Sequence, residues 1–473
     1  MSVNIDEMLR QKSHHVLGTD GKDIVIFGLS SSIRFLSETT LIQGDGTFSC
    51  VVQPFTQLYI FHGLLKNGVS YPLLYCLLRG KNQKIYERLL ELVEGIAGAR
   101  GATIFKRPVR VMVDFEKTFH NALKGYQAGN QMSCCFFHFV SNLKKRSKPI
   151  IEAIKKATGK ESEEVKVAER TKRELMMIPL LPLDIISVDV VDFIIRRWKM
   201  RFDGRKSAFD DLRGYLIRTY FGANALFEKR TWCVCACVTR TNNAAESSHA
   251  KLNSYVRVSG AVPLDLFLFS IESQMRNTTK KIEGGCRPHS KAIYSRRNQL
   301  LAAELSELLN AREGVLSFLD HCSSILKLKK QNDVNAFLRN RMNQPEDPLD
   351  VWWVNSNRER LVEAAISLHG TLFPTRRTPP LKILTTVPNW AFQPEQFEAD
   401  LEAIQEDSTF SFVRTEPPTS YLEIVNRFNQ TEVSSDENET SIETRPASMN
   451  TDATQLRRVY EGQSYRIQIV QRL

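Results

Sequence analysis

Residues 39–79 carry β-branched and aromatic side chains in short runs, interrupted by Asp45-Gly46 and Asn67-Gly68. Such pairs favour tight hairpin turns, so this stretch predicts two or three antiparallel strands. Over residues 82–99 the apolar period changes: Ile85, Leu89, Leu92, Val93 and Ile96 recur at helical spacing. Residues 109–113 are a compact apolar run closed by Asp114, the pattern of a buried strand. A helix over 116–126, a short strand over 132–137 and a strongly basic helix over 139–157 are predicted next. From 161 to 221 the strand signal is lost, and a helix over 188–200 ends in Arg196-Arg197-Trp198-Lys199. This reads as an inserted helical unit. A second helical region covers 264–338, after which the chain turns proline-rich at 345–348 and at Pro379-Pro380. Strands first, then strand and helix in alternation, predict a mixed α/β protein.

Composition narrows the class. With 473 residues and 42% apolar content the chain can bury one large core and a second, smaller one. The N-terminus, MSVNIDEMLRQK, has charges where a secretory signal has its apolar stretch. No apolar run approaches the ~18 to 20 residues that span a bilayer, so neither secretion nor membrane insertion is expected. Nine scattered cysteines lack the dense, even pattern of a disulfide framework and suit a reducing compartment. The net charge of +11 is unevenly placed: residues 395–443 set thirteen acids against Arg414 and Arg427, and residues 1–394 carry +19. A basic body of this kind suits a polyanion, and equally keeps an ordinary protein soluble. Residues 415–453, rich in Ser, Thr, Glu and Asn, are expected to be disordered.

Three carboxylates stand out by position, and each admits a structural reading beside a chemical one. Asp45 closes an apolar approach from Leu41, as a turn residue or as a ligand at the tip of a strand. Asp114 precedes a helix, as its N-cap or as a carboxylate that a rigid strand points into a site. Glu246 follows Asn243 at capping-box spacing. Yet Glu246, His249 and Asn253 share one helical face, where a core-packed helix would carry apolar groups. Cys135-x-x-His138 offers two of the four ligands of a zinc site, and equally a buried thiol with a helix-starting histidine. Cys233-x-Cys235-x-Cys237 alternates as a strand does, with its thiols on one face either packed or completing a metal site. Cys286-x-x-His289 has no such partners in the sequence. Two basic stretches are DNA-gripping surfaces or solvated helix faces: Lys144-Lys145-Arg146-Ser147-Lys148, and 196–206 with Arg196, Arg197, Trp198, Lys199 and Phe202. The first also has the composition of a nuclear import signal.

An ordered set of segments then becomes specific. Ile26-Phe27 with Leu36, Asp45-Gly46-Thr47-Phe48, Gln57-Leu58-Tyr59, Tyr71-Pro72-Leu73, Val113-Asp114-Phe115-Glu116 and Cys135-Phe136-Phe137-His138 come first. Trp232 and Asn242-Asn243-Ala244-Ala245-Glu246-Ser247-Ser248-His249 complete it. In this order and spacing they resemble the Mutator-like element (MULE) transposase domain over about residues 23–253. The resemblance implies a ribonuclease H-like α/β fold, a mixed sheet flanked by helices, with an all-helical insertion ahead of the glutamate. The predicted element order is compatible with it. By motif, the implied catalytic triad is Asp45, Asp114 and Glu246, holding two Mg²⁺ or Mn²⁺ ions. Such ions take hard oxygen ligands and together stabilise the attacking and leaving oxygens of phosphoryl transfer. Cys135, His138, Asn242, Asn243 and His249 form the implied supporting motif, with Zn²⁺ at Cys135 and His138 as the lesser alternative. The implied activity is cut-and-paste transposition in the nucleus, by a homo-oligomer that cleaves double-stranded DNA at terminal inverted repeats and joins it to target DNA.

The expected organisation is a lead segment over 1–22, a catalytic core over 23–160 and 231–280, and the insertion over 161–230. A helical region over 281–394 and an acidic, largely disordered tail over 395–473 follow. Relatives commonly carry a zinc-containing DNA-binding module ahead of the catalytic domain, and the 22 residues before Asp23 are not expected to hold one. The Cys-x-Cys…Cys-x-His module that often follows the domain is not recognisable either. The alternative function is therefore a non-catalytic, transposon-derived DNA-binding or regulatory protein with the same fold. An ordinary ribonuclease H or repair nuclease comes third, disfavoured by the 242–249 motif and the long insertion.

Overall fold

The computed structural model describes residues 9, 11–66, 68–126, 131–201, 209–237, 239–256, 262–285, 292–342 and 348–372. Asn67, Phe202 and the cations following it to Lys206, Cys286, His289, Pro345, Pro379-Pro380 and the acidic tail lie outside them, as do the side chains of Arg197 and Lys199. The chain divides into two compact units. The first comprises Met1–Asn142, Ala223–Trp232 and Thr239–His289, and the second Leu143–Gly222, Cys233–Val238 and the described part of Ser290–Leu473.

A seven-stranded mixed sheet underlies the first unit. Its strands are β1 (Val16–Thr19), β2 (Ile24–Gly28), β3 (Leu41–Thr47), β4 (Gln57–Leu64), β5 (Ser70–Leu78), β6 (Arg110–Val113) and β7 (Gln131–Cys134), in spatial order β1-β2-β5-β4-β3-β6-β7. β3, β4 and β5 are antiparallel, whereas β6 runs parallel to β3 and β7 parallel to β6. Parallel neighbours need crossovers. Helix α1 (Ser30–Glu38) leads into β3, α2 (Gln83–Gly98) lies between β5 and β6, α3 (Lys117–Lys124) lies between β6 and β7, and α4 (Phe136–Thr158) follows β7. α5 (Asn243–Tyr255) and α6 (Leu264–Glu283) return to this unit from later in the chain. α2 starts where the side-chain oxygen of Asn82 accepts the Ile85 amide at 3.1 Å.

Both faces of the sheet are covered, which is why its strands read as nearly continuous apolar runs. Ile24, Ile26, Tyr59, Phe61, Leu74 and Cys76 join Tyr86, Leu89, Leu90 and Val93 of α2 and Phe119 and Leu123 of α3 in one core. Their strand neighbours Val25, Phe27, Leu58, Ile60, Tyr75 and Leu77 join Leu252 of α5 and Phe267, Leu268, Ile271 and Met275 of α6 in another. The expected antiparallel strands are present, with one correction. Asp45-Gly46 does not turn: β3 continues through it to Thr47, with Asp45 opposite Ile60 and Gly46 opposite Tyr59. The flanking glycines serve close packing instead. A Cβ on Gly44 would lie 2.5 Å from the Tyr59 hydroxyl, and one on Gly46 would lie 2.0 Å from the Gln57 amide nitrogen. Gly68, with φ of +74°, sits in the connection between β4 and β5, its amide bonded to Leu65 O at 2.9 Å.

The described part of the second unit carries helices Glu163–Met177, Val188–Arg201, Asp210–Leu216, Ala292–Leu309, Val315–Ile325, Gln331–Met342, Pro348–Ser356 and Arg358–Leu372, besides the later turns of α4. Pro348 opens a helix, in the first turn where its missing N–H is not needed. Two expectations are corrected. Cys233 to Cys237 is a tight turn, not a strand, with Ala236 at a φ of 57° and the Cys237 amide bonded back to Val234 O. Trp198 is fully buried, its ring 5.2 Å from that of Phe209, so it fills the helical core and offers no surface for DNA. The same unit buries a network of ionisable groups, in which burial and the charge of Glu304 push the Glu313 carboxyl well above the usual carboxylate range. His321 contacts Glu313 and lies 3.1 Å from Glu304, while Arg341 lies 3.5 Å from Glu304 and 3.4 Å from Glu313. Burial works against the charged ring of His321, but its hydrogen bonds to Glu304 and Glu313 and their charges hold its pKa at about 10.

Gly44→Ala is expected to cost ~1–3 kcal/mol in chemical denaturation, because Tyr59 is buried, stacked on Phe119 and has little room to give. Gly95→Ala, where an added Cβ meets nothing within 4 Å in the middle of α2, should instead be neutral or stabilise by ~0.8–1 kcal/mol. Equal losses from both would remove close approach as the reason for Gly44. His321 is charged to higher pH folded than unfolded, so its stabilisation is full below about 6.5 and is lost as pH rises through about 10. The melting-temperature gap between the native chain and His321→Gln should therefore shrink across that window, and a constant gap would show that the ring is uncharged.

A candidate metal-binding carboxylate site

Each expected carboxylate of the first unit sits on a rigid element. Asp45 is held within β3, between β4 and β6. Asp114 directly follows β6, and its carbonyl oxygen accepts a hydrogen bond from His120 Nε2 of α3 at 2.9 Å. Burial pushes the His120 pKa down to about 4, so the ring is neutral and serves as a single fixed donor. α3 begins at Lys117 with Glu116 in the N-cap position. Asp114 is therefore not its cap, and the Asp114 carboxylate is held by the Glu116 amide.

Glu246 arrives on α5, whose start differs from the capping box expected at Asn243. The helix begins one residue earlier, with Asn242 in the N-cap position and its side chain turned elsewhere. Asn242 Nδ2 donates to Gly44 O in β3 at 3.3 Å, and the Asn242 amide donates to Cys135 Sγ at 3.2 Å. Gln43 Nε2 donates to Thr241 O at 3.0 Å, while its oxygen accepts from Ser70 Oγ at 2.6 Å. These bonds stitch the head of α5 to the middle of the sheet. The polar face noted in the sequence is then explained. His249 Nδ1 lies 3.4 Å from Asp45 Oδ2, and Asn253 accepts a hydrogen bond from Ser49 Oγ at 2.8 Å. Asn243 is exposed.

Asp114 and Glu246 are both close enough to Asp45 to act on its charge. Burial raises the Asp45 pKa most, the charges of Asp114 and Glu246 add to it against the Gly46 amide, and the value reaches about 7. Burial also raises Asp114, opposed by backbone amides and by Lys81, and raises Glu246, opposed by His138. Glu116 makes a fourth carboxyl, raised by burial and by Asp114, and accepts the Tyr86 hydroxyl at 3.0 Å. His249 is pushed down to about 4 by burial, so its contact with Asp45 is that of a neutral ring rather than an ion pair. Carboxylates crowded out of water hold protons tightly until a cation replaces them, and an all-oxygen donor set suits hard divalent ions. The donor chemistry of Asp45, Asp114 and Glu246 is of the kind a hard divalent ion takes, but their ligand atoms do not all lie within 4.8 Å of one another.

The other candidates divide. Cys135 is a buried thiol whose pKa burial pushes up to about 11, and its sulfur accepts backbone amides, including that of Asn242. His138 is half-buried and acts electrostatically on Glu246. Among the described residues, the one group of three His, Cys, Asp or Glu whose ligand atoms all lie within 4.8 Å is Glu304, Glu313 and His321 of the second unit. There the Arg341 guanidinium already lies against both carboxyls. Lys144, Lys145, Arg146 and Lys148 are exposed on α4, with Arg146 over the Tyr215 ring, and Arg196 is exposed on Val188–Arg201. Sequence reasoning passed over Gln43, Lys81, Glu116 and His120. Gln43 was legible, because in a strand it shares a face with Asp45 two residues on. Glu116 stood in Asp114-Phe115-Glu116 but read only as a helix start.

Comparison with known proteins now bears on this geometry. No curated protein and no solved structure matches the chain. Residues 41–142 match the family model described as the MULE transposase domain, a span that holds Asp45, Asp114, Cys135 and His138 and ends before Glu246. That match supports a MULE transposase assignment, and it is residues 41–142 that are similar to the MULE transposase domain.

Proposed function

We propose that the chain is a metal-dependent DDE transposase of ribonuclease H-like fold, which cleaves DNA at element ends and transfers the strands to a target. What supports this reading is that the fold brings Asp114, 69 residues on from Asp45 in the sequence, and Glu246, a further 132 on, near enough to the buried Asp45 for their charges to act on it. The sheet supports it as well: five antiparallel strands are followed by two parallel ones, with helices on both faces. That is compatible with the element order of the proposed fold.

Asp45, Asp114 and Glu246 would hold two Mg²⁺ or Mn²⁺ ions, which lower the pKa of water and offset charge on the phosphodiester oxygens. The chain's own groups hold the ligands still. His120 fixes the main chain at Asp114, Asn242 and Gln43 fix the head of α5 against β3, and His249 stands beside the Asp45 carboxyl. Ligands locked in this way keep the geometry that phosphoryl transfer needs. Double-stranded DNA is held, in this proposal, by phosphate contacts from Lys144, Lys145, Arg146, Lys148 and Arg196, giving affinity with steep salt dependence. Action in the nucleus by a homo-oligomer belongs to the same proposal.

Incubation of the chain with element-end DNA and Mg²⁺ or Mn²⁺ should give strand cleavage that is abolished by chelator and reduced to that background in Asp114→Asn. Equal cleavage by native and variant chains, or none by the native chain, would overturn the reading; DNA binding without cleavage would favour the non-catalytic alternative. A melting experiment tests the ions directly. Because the folded pKa of Asp45 is raised to about 7, its ionisation weakens the fold increasingly as pH climbs from about 4, and fully above about 7. Mn²⁺ should therefore raise the melting temperature more near pH 8 than near pH 5, by the equivalent of ~2.7 kcal/mol at a hundred times Kd. Asp45→Asn should show a smaller rise, and an identical rise in both chains would place the ion elsewhere.

A further inference from the structure

Phe48 lies three residues beyond Asp45, just past the end of β3, and its side chain is 60% exposed. Its backbone neighbours are pinned. Ser49 Oγ donates to Asn253 of α5 at 2.8 Å and lies 3.1 Å from Thr47 Oγ1, so the ring is presented from a fixed base. The ammonium of Lys81 stands 5.6 Å from the ring centroid. Lys81 is itself exposed, immediately precedes the N-cap of α2 and acts electrostatically on Asp114 and Glu116. An exposed ring and a cation are thus set together beside the carboxylates. The cation is joined by the partial positive charge of a helix N-terminus.

We propose that Phe48 and Lys81 form a lip that holds a single nucleic-acid strand at the carboxylate site, Phe48 stacking on an unpaired base and Lys81 pairing with the adjacent phosphate. The inference rests on the nuclease reading of that site, but its test does not require cleavage. A crowded set of carboxylates repels a polyanion, so a strand approaching them needs a local cation. Lys81 supplies one on the same side. A base has a π face whatever its sequence, and stacking on a protein ring tolerates every base. A paired base within a duplex is already stacked on its neighbours, so the lip selects a frayed or single-stranded segment.

The experiment uses the full chain with chelator present and a single-stranded oligonucleotide carrying 2-aminopurine. Binding to the native chain should change the probe's fluorescence through stacking. Phe48→Ala should abolish that change and weaken binding roughly ten- to hundred-fold, whereas Phe48→Trp should restore both. Lys81→Gln should weaken binding and lower the slope of log affinity against log salt by about one. Phe48 is exposed, so an unchanged melting temperature should accompany these losses. A Phe48→Ala chain that binds and stacks like the native one would overturn the lip while leaving the nuclease reading standing. Loss of stacking in Phe48→Ala, in a chain whose native form cleaves no DNA with Mn²⁺, would support the lip and sink the nuclease. A native chain that binds no strand at all would sink the lip outright.

Discussion

Burial of the Asp45 carboxyl, within reach of the charges of Asp114 and Glu246, is the constraint on which this part of the first unit turns. Left to themselves, Asp45, Asp114 and Glu246 would spread apart or take up protons. Here each is denied the freedom to move. Asp45 lies in a strand bonded on both sides, Asp114 is tied through its own carbonyl to a neutral histidine, and Glu246 rides on a helix fastened to the sheet by Asn242 and Gln43. Burial shows in all three as raised proton affinity. Stability is given up locally so that charge stays concentrated.

Much of this fold was legible in the sequence where one physical signal dominated. β4 and β5 are buried on both faces, and their unbroken apolar runs announce it. α2 combines a regular apolar stripe with a capping Asn82, so nothing competes with the helical reading. The sequence misled where a local preference met a tertiary demand. Asp45-Gly46 has turn chemistry, yet in β3 its glycines are needed so that Tyr59 and Gln57 can pack close. Cys233, Cys235 and Cys237 alternate like strand residues, but a left-handed Ala236 folds them into a turn. Trp198 sits among cations in the sequence, and one helical repeat sends the ring inward while Arg196 faces solvent.

The site was legible in part, for a reason of the same kind. Glu246, His249 and Asn253 share a helical face that no core would want, and that face lies against the end of β3. What spacing could not reveal was the set of groups that reach the site across the sheet. Lys81 lies past the end of β5 while Asp114 and Glu116 follow β6, and only the order of strands brings the ammonium near those two carboxylates. No periodicity encodes that neighbourhood. Their roles emerge once the strand order is known.

The anchoring of α5 also governs what evolution can change. Its head is fastened by Asn242 to Gly44 and by Thr241 to Gln43, both on the strand that carries Asp45. The glutamate's placement is therefore referenced to the sheet itself and not to the long stretch of chain that precedes it. Lengthening a connection raises its closure entropy only logarithmically. The chain ahead of Thr241 can accordingly change in length at little cost while the helix that carries Glu246 keeps its register on the sheet.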